Sequence, residues 1–184
     1  MSDVELLGNV LSKEGALIGA VVPARWDDPT PCPDYSVRVL MNHMIGWLQV
    51  FSAGANGRIF EGDPAAFVSD DPGRDFEVVA ADLLAGWRTG GVERTVRLTG
   101  PELPGGMVLS MTLMECVTHA CDLAAATAQP VPFTDAELTI VLDRATATLP
   151  AQYRGEGKPF GEPIDVPEDA PVLDRFLGFM GRRP

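Results

Sequence analysis

A chain of 184 residues, 46% hydrophobic and 22% charged, is the size of one domain and too apolar for disorder. Its formal net charge of −12, from 26 acidic against 14 basic residues, argues against nucleic acid or an anionic membrane as partner, since both need a positive footprint. The opening MSDVELLGNV lacks the basic start of a secretory signal, no apolar run of about 18 residues is evident, and Cys32, Cys116 and Cys121 are unclustered, so a reduced, cytoplasmic protein is expected.

Taken in chain order, Ser2 and Glu5 form a capping box ahead of a helix whose apolar positions run from Val4 to Val22, ended by Pro23. RWDDPTPCPDYS, Arg25 to Ser36, holds three prolines and is an extended loop. Ser36 caps a second helix with the stripe Val37, Leu40, Met41, Met44, Ile45, Leu48 and Phe51, and His43 lies at the edge of that stripe. Glu61 to Arg74 reads as an acidic, turn-rich link, and a third helix is expected from Asp75 to Trp87. RTVRLTG and GGMVLSM read as two strands or an extended crossover around Pro101 to Gly106. A fourth helix is expected from Ser110 to Ala128, a fifth from Asp135 to Leu149, and a short amphipathic segment from Val172 to Met180 after a Gly- and Pro-rich tail. Helices of these lengths predict an all-α bundle, and the long links imply at least one crossover.

The fourth helix carries the chemistry. In LMECVTHACDLAAA, Glu115, Thr118, His119, Asp122 and Ala126 share an arc about 100° wide, while the remaining faces are apolar. A helix apolar on most sides is buried, and an unpaired buried carboxylate costs at least several kcal/mol. A divalent cation removes that cost, and Glu and His at i and i+4 are spaced to share one. The chain has two histidines. The other, His43, is on a helix that bundle packing can bring to the same point. The competing reading is a solvated or hydrogen-bonded polar face. Asp122 reads as a partner holding an imidazole, a fourth ligand or a surface acid. Cys116 projects about 60° from the arc and reads with Cys121 as a small hydrophobe; Cys32 is a loop thiol with only Arg25 and Arg38 nearby in sequence.

PTPCPDYSVRVLMNHMIG, ECVTHACDLAAATAQP and the ending PFGEPIDVPEDAPVLDRFLGFMGRRP, in this order, resemble the DinB-like metal-binding superfamily. The resemblance is to the branch related to the mycothiol-dependent maleylpyruvate isomerase N-terminal domain. It implies a single DinB-like domain over 1–184, a four-helix bundle with a crossover connection, short extended segments and a C-terminal tail. It also implies a divalent metal on His43, Glu115 and His119, with Zn²⁺ the expected ion and Ni²⁺ among the alternatives, and mycothiol as co-substrate. The isomerase has a further C-terminal domain without a counterpart here, which leaves the substrate open.

Three functions follow as expectations. The first is a thiol-dependent transferase or isomerase joining a low-molecular-weight thiol to a small-molecule electrophile. The second is a hydrolase using a metal-bound water, with Asp122 as general base. The third is a non-enzymatic metal- or small-ligand-binding homodimer. Whether the protein is an enzyme stays open at this point.

Overall fold

The computed structural model describes residues 1–155, 158 and 160–184; the part of the expected Gly- and Pro-rich tail at 156, 157 and 159 lies outside them. The fold is mainly α, with helices α1 (Asp3–Gly19), α2 (Val37–Ala55), α3 (Pro72–Gly90), α4 (Gly105–Thr127), α5 (Asp135–Thr148) and α6 (Val172–Phe179), and one hairpin of β1 (Thr95–Arg97) and β2 (Glu102–Pro104). The chain divides into two compact units, Met1–Pro132 and Phe133–Pro184.

In the first unit α1 and α2 each pack mainly on α3 and α4, so the helices run α1, α3, α2, α4 around the bundle. Consecutive helices α1 and α2, and likewise α3 and α4, therefore lie on diagonals. The links 20–36 and 91–104 each span a diagonal, which is the crossover expected of the bundle. Leu7, Val10, Val37, Leu40, Ile45, Leu83, Val108 and Leu113 are completely buried in the core.

Local chemistry fixes the helix starts. The Ser2–Glu5 capping box is present on α1, and Ser36 Oγ accepts from Val39 N–H on α2. α3 begins three residues earlier than expected, because the DDPG turn is itself a helix start: Asp71 accepts from Arg74 N–H at 3.2 Å and Pro72 occupies the first turn. The second expected strand is corrected too. Gly105 to Met111 is the first part of α4, which starts five residues before Ser110, and β1 pairs antiparallel with Glu102–Pro104 instead. Its burial follows helical spacing, and Ser110 and Thr112 hydroxyls donate to the carbonyls four residues back. Gly105 is required there, since a Cβ would stand 2.6 Å from Val92 O.

The expectation of no apolar run of about 18 residues is corrected by α4, which is long and apolar enough to cross a membrane by length and composition; 83% of that window is buried in the folded chain. Apolarity on nearly every face is what a central bundle helix needs.

In the second unit α5 packs on α6. Thr134 and Glu137 form a capping box for α5. Arg154 organises the segment between the helices: its guanidinium donates to Gly161 O and Phe179 O and lies 4.3 Å above the Phe179 ring.

Candidate metal centre

Packing of α2 on α4 brings the polar arc of α4 against His43. Glu115 Oε1 is 3.2 Å from His119 Nε2, one turn further along α4, and 3.2 Å from His43 Nε2 on α2. The two imidazole centroids are 4.8 Å apart with the ring planes at 79°. The three donor atoms all lie within 4.8 Å of one another, with His119 buried and the other two half-buried.

The donor set fits a divalent ion. Zinc with ligand bonds of about 2.0–2.2 Å in tetrahedral geometry separates nitrogen and oxygen donors by about 3.4 Å, close to both measured contacts. Two imidazoles and one carboxylate are also a borderline-soft set that suits zinc, nickel or iron better than magnesium or calcium.

Each histidine is held from behind. Tyr35 Oη is 3.3 Å from His43 Nδ1, and Asp122 Oδ2 is 3.1 Å from His119 Nδ1. Such contacts fix the tautomer and the ring orientation of a ligating histidine. Trp47 lies 6.4 Å from the His43 ring, centroid to centroid, whereas Trp87 is a core residue. Asp122 is therefore the imidazole partner among the three readings the sequence allowed.

Charge is concentrated here. Burial pushes the Glu115 carboxyl up, but the charges of His119 and His43 and the hydrogen bonds from both outweigh it and hold the group far below the usual carboxylate range. Burial acts to depress His119; the Glu115 charge and bonds to Asp122, Cys32 and Glu115 outweigh it and raise the imidazole well above its ordinary value. Both imidazole nitrogens face carboxylate oxygens, the geometry of a protonated ring.

Two residues at the site were not anticipated. Glu14 of α1 is 1% exposed and lines a cavity of ≈ 10 Å³ with Met44, Leu48, Phe51, Glu115, Cys116 and His119. That volume is room for about one water. Burial pushes the Glu14 carboxyl up to about 8 against the opposing Cys116 hydrogen bond, and its Oε2 has no hydrogen-bond partner among the described residues. The signal was in the sequence, for Glu14 falls on the stripe of Val10, Leu11, Leu17 and Ile18.

The second is Cys32, whose Sγ is 3.1 Å from Asp122 Oδ2 and 3.8 Å from His119 Nδ1. Its loop reaches α4 because Arg25 donates to Ala126 O and Thr127 O and pairs with Asp28. Pro33 and left-handed Asp34, with φ 67°, then turn the chain back, and Tyr35 N–H donates to Cys32 O. Cys116 and Cys121 are buried in α4, as expected for small hydrophobes.

Residues 13–124 match the family described as the mycothiol maleylpyruvate isomerase N-terminal domain. Uncharacterized proteins from two Mycobacterium tuberculosis strains, CDC 1551 and H37Rv, are each 32% identical over 175 residues, 91% of this chain and 90% of theirs. The crystal structure of the mycothiol-dependent maleylpyruvate isomerase superposes with a TM-score of 0.59 at 15% identity, covering 86% of this chain and 72% of that one. A histidine-to-alanine mutant of that enzyme gives 0.57 at 16% identity with the same coverage. At these identities the two crystal structures speak to the fold alone.

Proposed function

Because the chain belongs to the family of mycothiol maleylpyruvate isomerase N-terminal domains, we infer that it is a divalent-metal protein that brings a low-molecular-weight thiol to a small electrophile. The observation that carries this reading is the convergence of His43 Nε2, Glu115 Oε1 and His119 Nε2 within 4.8 Å from two helices. His43, Glu115 and His119 would hold the ion, with zinc the metal proposed and mycothiol, by family, the thiol. A divalent ion, when bound, acts as a Lewis acid that lowers the pKa of a thiol.

The chain's own residues do the rest. Tyr35 and Asp122 orient the two imidazoles, so that each keeps Nε2 toward Glu115. Met44, Leu48 and Phe51 give the cavity an apolar wall that limits water, which strengthens electrostatic interactions inside it. Glu14 places a carboxyl that holds its proton to about pH 8 on the wall of that cavity, a group able to return a proton to a product.

The test pairs metal analysis with thiol chemistry. Protein purified without a metal-affinity tag is expected to carry one metal at this site, lost in His43→Ala and in His119→Ala. Calorimetry with mycothiol on the zinc form is expected to show binding, and a model electrophile to be consumed only when thiol and metal are both present. Thiol-independent hydrolysis by the zinc form would overturn the reading in favour of a metal-water hydrolase.

A further inference from the structure

Behind His119, on the ring nitrogen that Glu115 does not face, lies a second convergent donor set. Cys32 Sγ, Asp122 Oδ2 and His119 Nδ1 are separated by 3.1 Å (sulfur to oxygen), 3.8 Å (sulfur to nitrogen) and 3.1 Å (nitrogen to oxygen). All three residues are buried.

The scaffold is stiff on both sides. His119 and Asp122 are three residues apart on α4, fixed by its backbone. Cys32 sits between Pro31 and Pro33, and its N–H is held by Thr30 Oγ1 at 3.1 Å. Arg25 bonds the start of that loop to the last turn of α4. Little conformational freedom remains to be lost when the three donors take a common partner.

The donor types and spacing select that partner. A tetrahedral zinc-like ion, with bonds of about 2.3 Å to sulfur and 2.0–2.2 Å to nitrogen and oxygen, spaces such donors about 3.4–3.6 Å apart. The measured edges fall on both sides of that range. A thiol among the donors favours a borderline-soft ion over magnesium or calcium, which take oxygen ligands.

We propose that Cys32, Asp122 and His119 Nδ1 form a second cation site, for a thiophilic divalent ion, on the opposite side of the imidazole from Glu115 and His43. It goes beyond the function proposed above and shares with it His119 and the Asp122 carboxylate that orients that ring. The hydrogen-bonded triad, with the Cys32 S–H directed to Asp122, is the proton-loaded state of the same site. Loading forms bonds from the ion to Sγ, Oδ2 and Nδ1 and releases the thiol proton and the ring N–H proton to solvent, with no change of oxidation state. With both sites filled the His119 ring is an imidazolate bridge. A three-donor set leaves one position for water or an added ligand.

Cobalt(II) tests this on the metal-free full chain, read by bound equivalents after desalting and by the near-ultraviolet sulfur-to-cobalt charge-transfer band. Wild type is expected to hold two equivalents and show the band. His43→Ala is expected to keep one equivalent with the band. Cys32→Ala is expected to keep one equivalent and lose the band, and Asp122→Asn is expected to lose the band, with circular dichroism reporting folding. Should Cys32→Ala not fold, loss of the band in Asp122→Asn and its retention in His43→Ala decide the matter. A wild type without the band, or one whose equivalents and spectrum match those of Cys32→Ala, overturns the proposal and leaves Cys32 a hydrogen-bond donor. A wild type with one equivalent, kept with its band by His43→Ala and lost by Cys32→Ala, upholds this site and removes the one centred on Glu115.

Discussion

Glu115 and His119 meet at 3.2 Å across one turn of α4, with Asp122 3.1 Å from the other nitrogen of the same ring. Glu115 and Asp122 together keep a proton on an imidazole whose pKa is raised well above the ordinary value of 6.5. A metal ion on His119 Nε2 must displace that proton, so metal affinity is coupled to pH.

Zinc affinity is expected to rise with pH, by up to about tenfold per unit, for as long as the metal-free ring is protonated. The sign for folding is opposite. A raised imidazole pKa stabilises the metal-free fold below the unfolded value, and that contribution is lost as pH rises through the folded value. Competitive zinc titrations from pH 6 to 8 check the first. A flat profile would contradict a proton held between Glu115 and Asp122.

Tyr35→Phe removes the hydroxyl that sits 3.3 Å from His43 Nδ1 and leaves the ring. Loss of such a ligand-orienting contact is expected to weaken zinc binding about 10-fold or more. Metal-free stability should fall by no more than about 1.5 kcal/mol, the worth of one hydrogen bond. Chelator competition and urea unfolding, run side by side, separate the two effects.

Glu14 gives a second pH signature. Burial pushes its carboxyl up to about 8 in the fold from an ordinary value of 4.5, so between those values the unfolded chain holds fewer protons and stability falls as pH rises. Cys116, Glu115 and His119 share its surroundings. The expected slope attributable to Glu14 is at most about 1.4 kcal/mol per pH unit. In metal-free Glu14→Gln this component should vanish, leaving a shallower decline over pH 5–8 by urea unfolding.

Gly46 tests how α2 is seated. A Cβ there would lie 2.2 Å from Pro64 O, a backbone atom that cannot rotate away. Gly46→Ala is expected to cost about 1–3 kcal/mol through a displaced 64–67 segment. Gly19→Ala, where a Cβ meets nothing within 4 Å, serves as the control.

Much of this was readable because it is local. Ser2 with Glu5, Ser36 and Thr134 announce helix starts by side-chain chemistry within four residues, and Glu115 with His119 announces a shared partner by spacing alone. The start of α4 is not legible in the sequence because Gly105 and Gly106 lower helix propensity, while the close approach of Val92 O that demands a glycine is a tertiary fact. Cys32 reads in sequence as a loop thiol with only Arg25 and Arg38 nearby; its neighbours in the fold, His119 and Asp122, lie on another element. Glu14 is legible on the stripe of Val10, Leu11, Leu17 and Ile18. A carboxylate in the middle of an apolar stripe is the same kind of anomaly as Glu115 in its helix.

Arg25 has a consequence for which sequence changes this lineage can accept. Its guanidinium grips Ala126 O and Thr127 O, and so sets the distance from the end of α4 to the loop that bears Cys32. Each residue added to a helix advances it about 1.5 Å and turns it about 100°. An insertion or deletion between His119 and Thr127 would therefore shift the carbonyls from Arg25, while one between Gly105 and Glu115 would swing Glu115 and His119 away from α2. Point substitutions on the outer positions of α4 carry no such penalty. Relatives built on the same plan should hold the length of this helix nearly constant and gather their substitutions at its few less buried positions, such as Gly106, Met111 and Ala125.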